Sequence, residues 1–310
     1  MTDLSRNIIQ TIAYYDVLDY PMTSFEIWKY LIVRGGAENQ KITYSLGEII
    51  KCLGGDDLAG KIEEYQGFYF LPGRKKLVER RIERNKISEQ KFRIIRRVVW
   101  FLRFVPYIRM AAVTGRMATK NASKESDLDL IIVLKGGKIF TGRTLVTFVV
   151  HFLGKRRYGK KIADRICLNY FITDKSLEIQ LKDLFSSSEY SFILPIIGWS
   201  SFRKFQLENR EWIQKIRPNY QLDELANLKM YSDSEGAKFV RRWTSLVFSS
   251  DFIEKELKEW ETRRIMNDPR TRKPGSMILA DDDSLVFLPD PQGPRVFEKF
   301  KNRLEEAALD

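Results

Sequence analysis

Cysteine is nearly absent: Cys52 and Cys167 are the only two in 310 residues, far apart and without a C-x-x-C. That excludes a disulfide framework and a zinc site built on thiolates, and it predicts a reducing compartment, the cytoplasm. Histidine occurs once; His151 sits among Phe148, Val149 and Phe152 and reads as a half-buried helix residue with no catalytic role. Long hydrophobic runs are also missing. The longest, 98–108 (broken by Arg103 and Pro106) and 192–199, fall short of the ~20 residues that span a bilayer. The first residues, MTDLSRNIIQ, lack the basic and then apolar order of a secretory signal. The expectation is a soluble protein with no membrane partner. Acids are in deficit, with 41 Asp and Glu against 53 Lys and Arg, a net charge of +12 that favours polyanionic partners. What is plentiful is apolar: 44% hydrophobic and 13% aromatic residues exclude a disordered chain.

The excess charge is concentrated. Between Pro72 and Met110 stand thirteen Lys or Arg against Glu79, Glu83 and Glu89, and a second run, Lys155, Arg156, Arg157, Lys160, Lys161 and Arg165, is opposed only by Asp164. Segments 74–109 and 155–165 are therefore the candidate nucleic-acid contacts, although Ile82, Phe92, Ile95, Val99 and Leu102 also mark the first as an amphipathic helix with an ordinary wet face.

Along the chain, Ile8, Ile9, Ile12 and Tyr15 recur at helical spacing, and Thr23 can cap a second helix carrying Phe25, Trp28, Leu31 and Ile32. After a Gly-rich turn, Ser45 to Leu53 predicts a third helix, and Ile62 to Leu71 a hairpin about Gln66-Gly67. Three helices and a hairpin predict a winged helix over 1–73. The recognition helix would offer only Glu48 and Lys51 as charges, which favours a packing or protein-contact role over DNA reading. A basic connecting helix follows over 74–105. Strands at 108–113, 128–134 and 166–172, with a helix over 144–153, predict an α/β core over 106–178. Region 179–310 reads as mostly helical (191–197, 202–216, 237–248, 252–265 and 296–307), with a hairpin flanking Asp281 to Asp283, a solvated turn.

The chemistry is concentrated in Val113-Thr114-Gly115-Arg116 and Ser126-Asp127-Leu128-Asp129. Residues two apart on a strand share a face, so Asp127 and Asp129 present their carboxylates together while Leu128 and Leu130 enter the core. Hard oxygen donors paired this way suit Mg²⁺ or Mn²⁺ bridging to substrate phosphates. Gly115, between a strand and a short helix, lets the backbone approach a phosphate.

Strand, Gly-containing turn, short helix and Ser-Asp-x-Asp on the next strand resemble the nucleotidyltransferase domain of the DNA polymerase β superfamily. Tyr14 to Pro21, Cys167 to Phe171 and Asn209 to Ile213 resemble, more loosely, a branch with an N-terminal winged helix and a helical C-terminal region. The resemblance implies an α/β (α+β) nucleotidyltransferase core with a mixed sheet. It implies transfer of a nucleoside monophosphate from a nucleoside triphosphate to an acceptor hydroxyl or phosphate, pyrophosphate leaving. Asp127 and Asp129 would be the catalytic, metal-holding pair, and Gly115, Arg116 and Ser126 the nucleotide side. Two departures stand out. Arg116 replaces the small residue usual after the glycine, where it would either pair with the triphosphate or fill its pocket. Asn169, the polar residue of the third strand, stands where the superfamily has its third carboxylate, and it could ligate through oxygen but brings no charge. The alternative is a catalytically degenerate module that binds nucleic acid or a partner protein through the winged helix and basic helix.

Overall fold

The computed structural model describes residues 1–33 and 43–306; the Gly-rich turn expected between the second and third helices lies outside them. Helix α1 (Asp3–Val17) starts at Thr2, whose hydroxyl accepts from the Ser5 amide. Strand β1 (Met22–Thr23) leads into α2 (Ser24–Lys29), and α3 (Leu46–Leu53) follows; both helices open on capping boxes, Thr23 with Glu26 and Ser45 with Glu48. Strands β2 (Glu63–Tyr65) and β3 (Phe68–Phe70) turn through Gln66 and Gly67, both at positive φ as a tight type I′ hairpin requires. With β1 they form a three-stranded antiparallel sheet in the order β1-β3-β2.

Helix α4 (Lys76–Leu102) carries the first basic segment and buries Phe92, Ile95, Val98, Val99 and Leu102. Then come β4 (Ile108–Val113), the single turn α5 (Gly115–Ala118), β5 (Leu128–Leu134), α6 (Ile139–Phe152), β6 (Ile166–Thr173), α7 (Leu184–Ser191), β7 (Leu194–Ile197) and α8 (Trp199–Ile216). The chain closes with α9 (Glu235–Val247), α10 (Asp251–Met266), β8 (Met277–Ala280), β9 (Ser284–Leu288) and α11 (Gly293–Glu306). A six-stranded mixed sheet runs in the order β7-β4-β5-β6-β9-β8, with β5 and β6 parallel and the other neighbours antiparallel. The fold is therefore mixed α/β.

The segment expected as a helix over 191–197 is instead the strand β7, which pairs with β4. Its apolar run Phe192 to Ile197 is compatible with either state, and a free edge on β4 decided it. Residues beyond 178 thus supply half the sheet: β7 at one edge, and the β9-β8 hairpin, expected as a separate feature, at the other. His151 is exposed rather than half-buried. The two faces of β5 enter different cores. Leu128, Leu130 and Ile132 pack with α4 and α6, whereas Ile131 and Val133 pack with Tyr190 of α7 and Phe202 and Phe205 of α8.

The N-terminal helices are bound into this body rather than tethered to it. Asp16, almost fully buried, joins Arg74 at 3.1 Å and Arg303 of α11 at 3.2 Å. The Tyr15 and Ser188 hydroxyls lie 3.1 Å apart, and Arg217, wholly buried, donates to the Tyr30 carbonyl at 2.5 Å. No helix among the described residues is long and apolar enough to cross a membrane.

Candidate functional site

Asp127 and Asp129 stand at the start of β5, and their carboxylates lie with the Cys167 thiol of β6 within 4.8 Å of one another. The parallel register pairs Asp129 with Cys167 and then slips, so that Ile131 pairs with Tyr170 and β6 holds one extra residue between. Cys167, not Asn169, is therefore the direct cross-strand neighbour of Asp129, although Asn169 lines the same cleft. Burial, followed by the charges of Asp129 and Asp127, pushes the Cys167 thiol far up, so it stays protonated and is no ligand for a hard cation.

Gly115 opens α5 at φ +62°, and a Cβ there would come 2.9 Å from Asp129 Oδ2. The turn after β4 is thus pressed against the second acid, an approach that only glycine allows without strain. The Thr114 amide donates to the Asp129 carbonyl at 3.2 Å and locks this register. Arg116 is exposed at the cleft wall, and the Ser126 hydroxyl accepts from the Ser123 amide at 3.0 Å in the turn before β5. Lys91 of α4, buried, holds this turn from below, donating to the Lys124 and Ser126 carbonyls at 2.9 Å and to Asp164 at 2.7 Å.

Asp127 has a counter-charge within the protein: Arg157 Nη1 meets it at 2.5 Å and Cys167 Sγ at 3.4 Å. The second basic run brings it there. Lys155 and Arg157 bond to Ile166 as an added strip beside β6. Six of the thirteen cations of the first basic segment are paired within the chain: Arg74, Arg80 and Arg84 converge on Asp19, Arg81 pairs with Glu26, Lys91 with Asp164 and Arg109 with Asp174, while Lys75, Lys76, Lys86, Arg93, Arg96 and Arg97 are exposed.

A third carboxylate reaches the site from an unexpected element. Glu189 of α7 lies against the Thr114 side chain and the Gly115 amide, and burial, then the charges of Asp129 and Asp183, raise its pKa to about 7. Burial and the Asp127 charge raise Asp129 as well. The two acids, both half-buried, share one corner of the cleft, where the Arg157 and Arg116 charges only partly offset the rise at Asp129. Two oxygen donors fit Mg²⁺ or Mn²⁺, ions that retain waters and take phosphate oxygens for their other positions. Nothing in the sequence marked Glu189, because a helix far along the chain carries it.

Glu189 gives a pH prediction with a definite sign. A free Glu titrates near about 4.3, whereas Glu189 keeps its proton to about 7 in the fold. The folded state then binds more protons across that window, so its stability falls as pH rises through it and levels off above. The thermal midpoint of wild type should decline relative to that of Glu189→Gln between about pH 4.5 and 7. Parallel curves would contradict it.

The elements converge on a cleft of about 1120 Å³ lined by Gly115, Arg116, Ser126, Asp127, Asp129 and Asn169. All six residues singled out from sequence thus line one cavity. Compared with known proteins, the chain matches no family model, no curated protein and no solved structure.

Proposed function

We propose that the protein is a metal-dependent nucleotidyltransferase that moves a nucleoside monophosphate from a nucleoside triphosphate to an acceptor bound in the same cleft. The carrying observation is the pair Asp127 and Asp129 at the head of β5, pressed against the positive-φ turn at Gly115 in a cleft wide enough for two ligands. Mg²⁺ or Mn²⁺, when bound, would neutralise the triphosphate and polarise the α-phosphorus. Asp127 and Asp129 hold and orient it. Gly115 leaves room for the phosphate chain, and Arg116 supplies a guanidinium at the cleft wall for its outer oxygens. The acceptor oxygen bonds to the α-phosphorus, a hydroxyl acceptor giving up its proton to solvent, the bond to the bridging oxygen breaks, and pyrophosphate leaves. On this reading α1, α2, α3 and the β1-β3-β2 sheet are a winged helix used for packing, consistent with the ties of Asp16 and Tyr30 to the C-terminal helices.

A second reading has its own support. Arg157 occupying Asp127, and an uncharged Cys167 opposite Asp129, suit a core that has lost transfer and serves as a binding module for nucleic acid or a partner protein. Incubation with each labelled nucleoside triphosphate, Mg²⁺ or Mn²⁺ and RNA or protein acceptors separates the two. Transfer is expected; saturable binding in gel shift without transfer would favour the module.

The β6 bulge gives a finer test. If Asn169 takes the third ligand position, Asn169→Asp tightens Mn²⁺; the register instead gives Cys167→Asp the larger gain, roughly tenfold or more, because a carboxylate is added at ligand distance from Asp129. Titrating Mn²⁺ against both variants decides between them, and equal affinities for wild type and both variants would remove β6 from the site.

A further inference from the structure

We propose that Arg143, Arg156 and Arg264 form a phosphate-binding subsite at the far end of this cleft, separate from the aspartate pair, for a ligand carrying a phosphate ester. All three line the cleft, together with the aspartates. They lie toward the opposite face of the sheet from the acids. Asp129 shares its strand face with Ile131, which packs toward α7 and α8, whereas the Arg143 guanidinium stacks 5.7 Å from the Phe171 ring, which belongs to the opposite core with Leu130 and Ile132. Arg156 and Arg157 are neighbours on an extended strip, so when Arg157 turns to Asp127, Arg156 turns away from it, toward α6 and α10.

The charge there is out of balance. Arg143 and Arg264, from α6 and α10, both bind the one buried carboxylate, Glu261, with Arg264 at 2.7 Å. Arg156, half-buried beside them, has no carboxylate in ion-pair range among the described residues. Burial and mutual repulsion hold Arg143 and Arg156 below the usual guanidinium range. The cleft's next arginine differs: Arg270 is held by Asp268 at 2.6 Å and needs nothing further. Three forked donors around one acid, partly out of water, leave two positive charges for a ligand to match, and a dianionic phosphate matches both charge and geometry. A cleft of about 1120 Å³ exceeds the usual range for one small ligand and has room for this group as well as a nucleotide.

This subsite rests on the cleft being a ligand site but not on transfer, so it is tested without metal. Calorimetry with pyrophosphate in chelator should show saturable binding to wild type, a loss on the order of tenfold or more in Arg156→Gln with Arg264→Gln, and no change in Asp127→Asn with Asp129→Asn. Arg156→Gln alone, a half-exposed position, keeps the test usable should the double variant fold poorly. A hexose phosphate and a 5′-phosphorylated dinucleotide, each beside its phosphate-free twin, tell a small-molecule source from a nucleic-acid end. Equal binding by the arginine variants, loss in the aspartate variant, or equal affinity for the phosphate-free twins would overturn the proposal, and none of these bears on whether the aspartates support transfer.

Discussion

Asp127→Asn combined with Asp129→Asn is expected to lower divalent-dependent triphosphate binding by on the order of a hundredfold and to raise, not lower, the stability of the metal-free protein. Binding falls because an amide oxygen carries no net charge with which to hold a hard cation. Stability rises because Asp129 is half-buried beside Asp127 and the like charges oppose each other, a repulsion that the Arg157 pair with Asp127 offsets only in part. Removing that repulsion should lift the thermal midpoint by roughly 2 °C or more, and Mg²⁺ should stabilise wild type but not the variant. If the acids were only a turn or cap cluster, the substitution would cost stability and leave the response to Mg²⁺ unchanged. Calorimetry together with melting curves in chelator and in excess Mg²⁺ tells these apart, and a double variant that binds Mg-triphosphate as wild type does would place the site elsewhere.

Gly198→Ala is expected to be the most damaging single substitution outside the site. Gly198 ends β7 and begins α8 at φ +85°, and a Cβ there would fall on the Arg109 carbonyl oxygen, which is backbone and cannot swing aside. The left-handed conformation costs an alanine about 1–2 kcal/mol, and displacing β4 adds an overpacking cost of about 1–3 kcal/mol. Gly154→Ala is the control: its φ is +64° but its surroundings are open, so it bears only the conformational cost. Denaturant midpoints should separate the two, and equal midpoints would contradict the close approach. Nucleotide binding should fall with Gly198→Ala too, since β7 pairs with Ala111 to Val113 of β4, immediately before Thr114 and Gly115.

The residue strings that resembled a nucleotidyltransferase branch do different kinds of work in this fold. Tyr14 and Tyr15 are core residues, with Tyr14 edge-on to Phe300 at 5.5 Å. Asn209 is a fully bonded buried amide, accepting from the Ile179 amide and the Trp212 indole, both at 2.9 Å, and donating to the Leu177 carbonyl, also at 2.9 Å. It pins the loop after β6 onto α8. Cys167 to Tyr170 stand at the cleft, and Tyr15, Val17, Leu18, Asp19 and Tyr20 line it too.

What the sequence by itself determined is local. Thr23 and Glu26, or Ser45 and Glu48, cap a helix because their atoms lie three residues apart wherever the chain goes. Gln66-Gly67 turns because both residues tolerate positive φ, and Asp127 and Asp129 share a face because a strand alternates. Tertiary structure decided whatever depends on partners distant in the chain. The apolar run after Phe192 became a strand because β4 had an open edge, and Arg80, Arg81 and Arg84 of α4 found partners because Asp19 and Glu26 were brought beside them. Arg157, Cys167 and Glu189 reached the aspartates from a strip, a strand and a helix. Register, burial and the meeting of charges belong to pairs of segments, and no spacing within one segment encodes them.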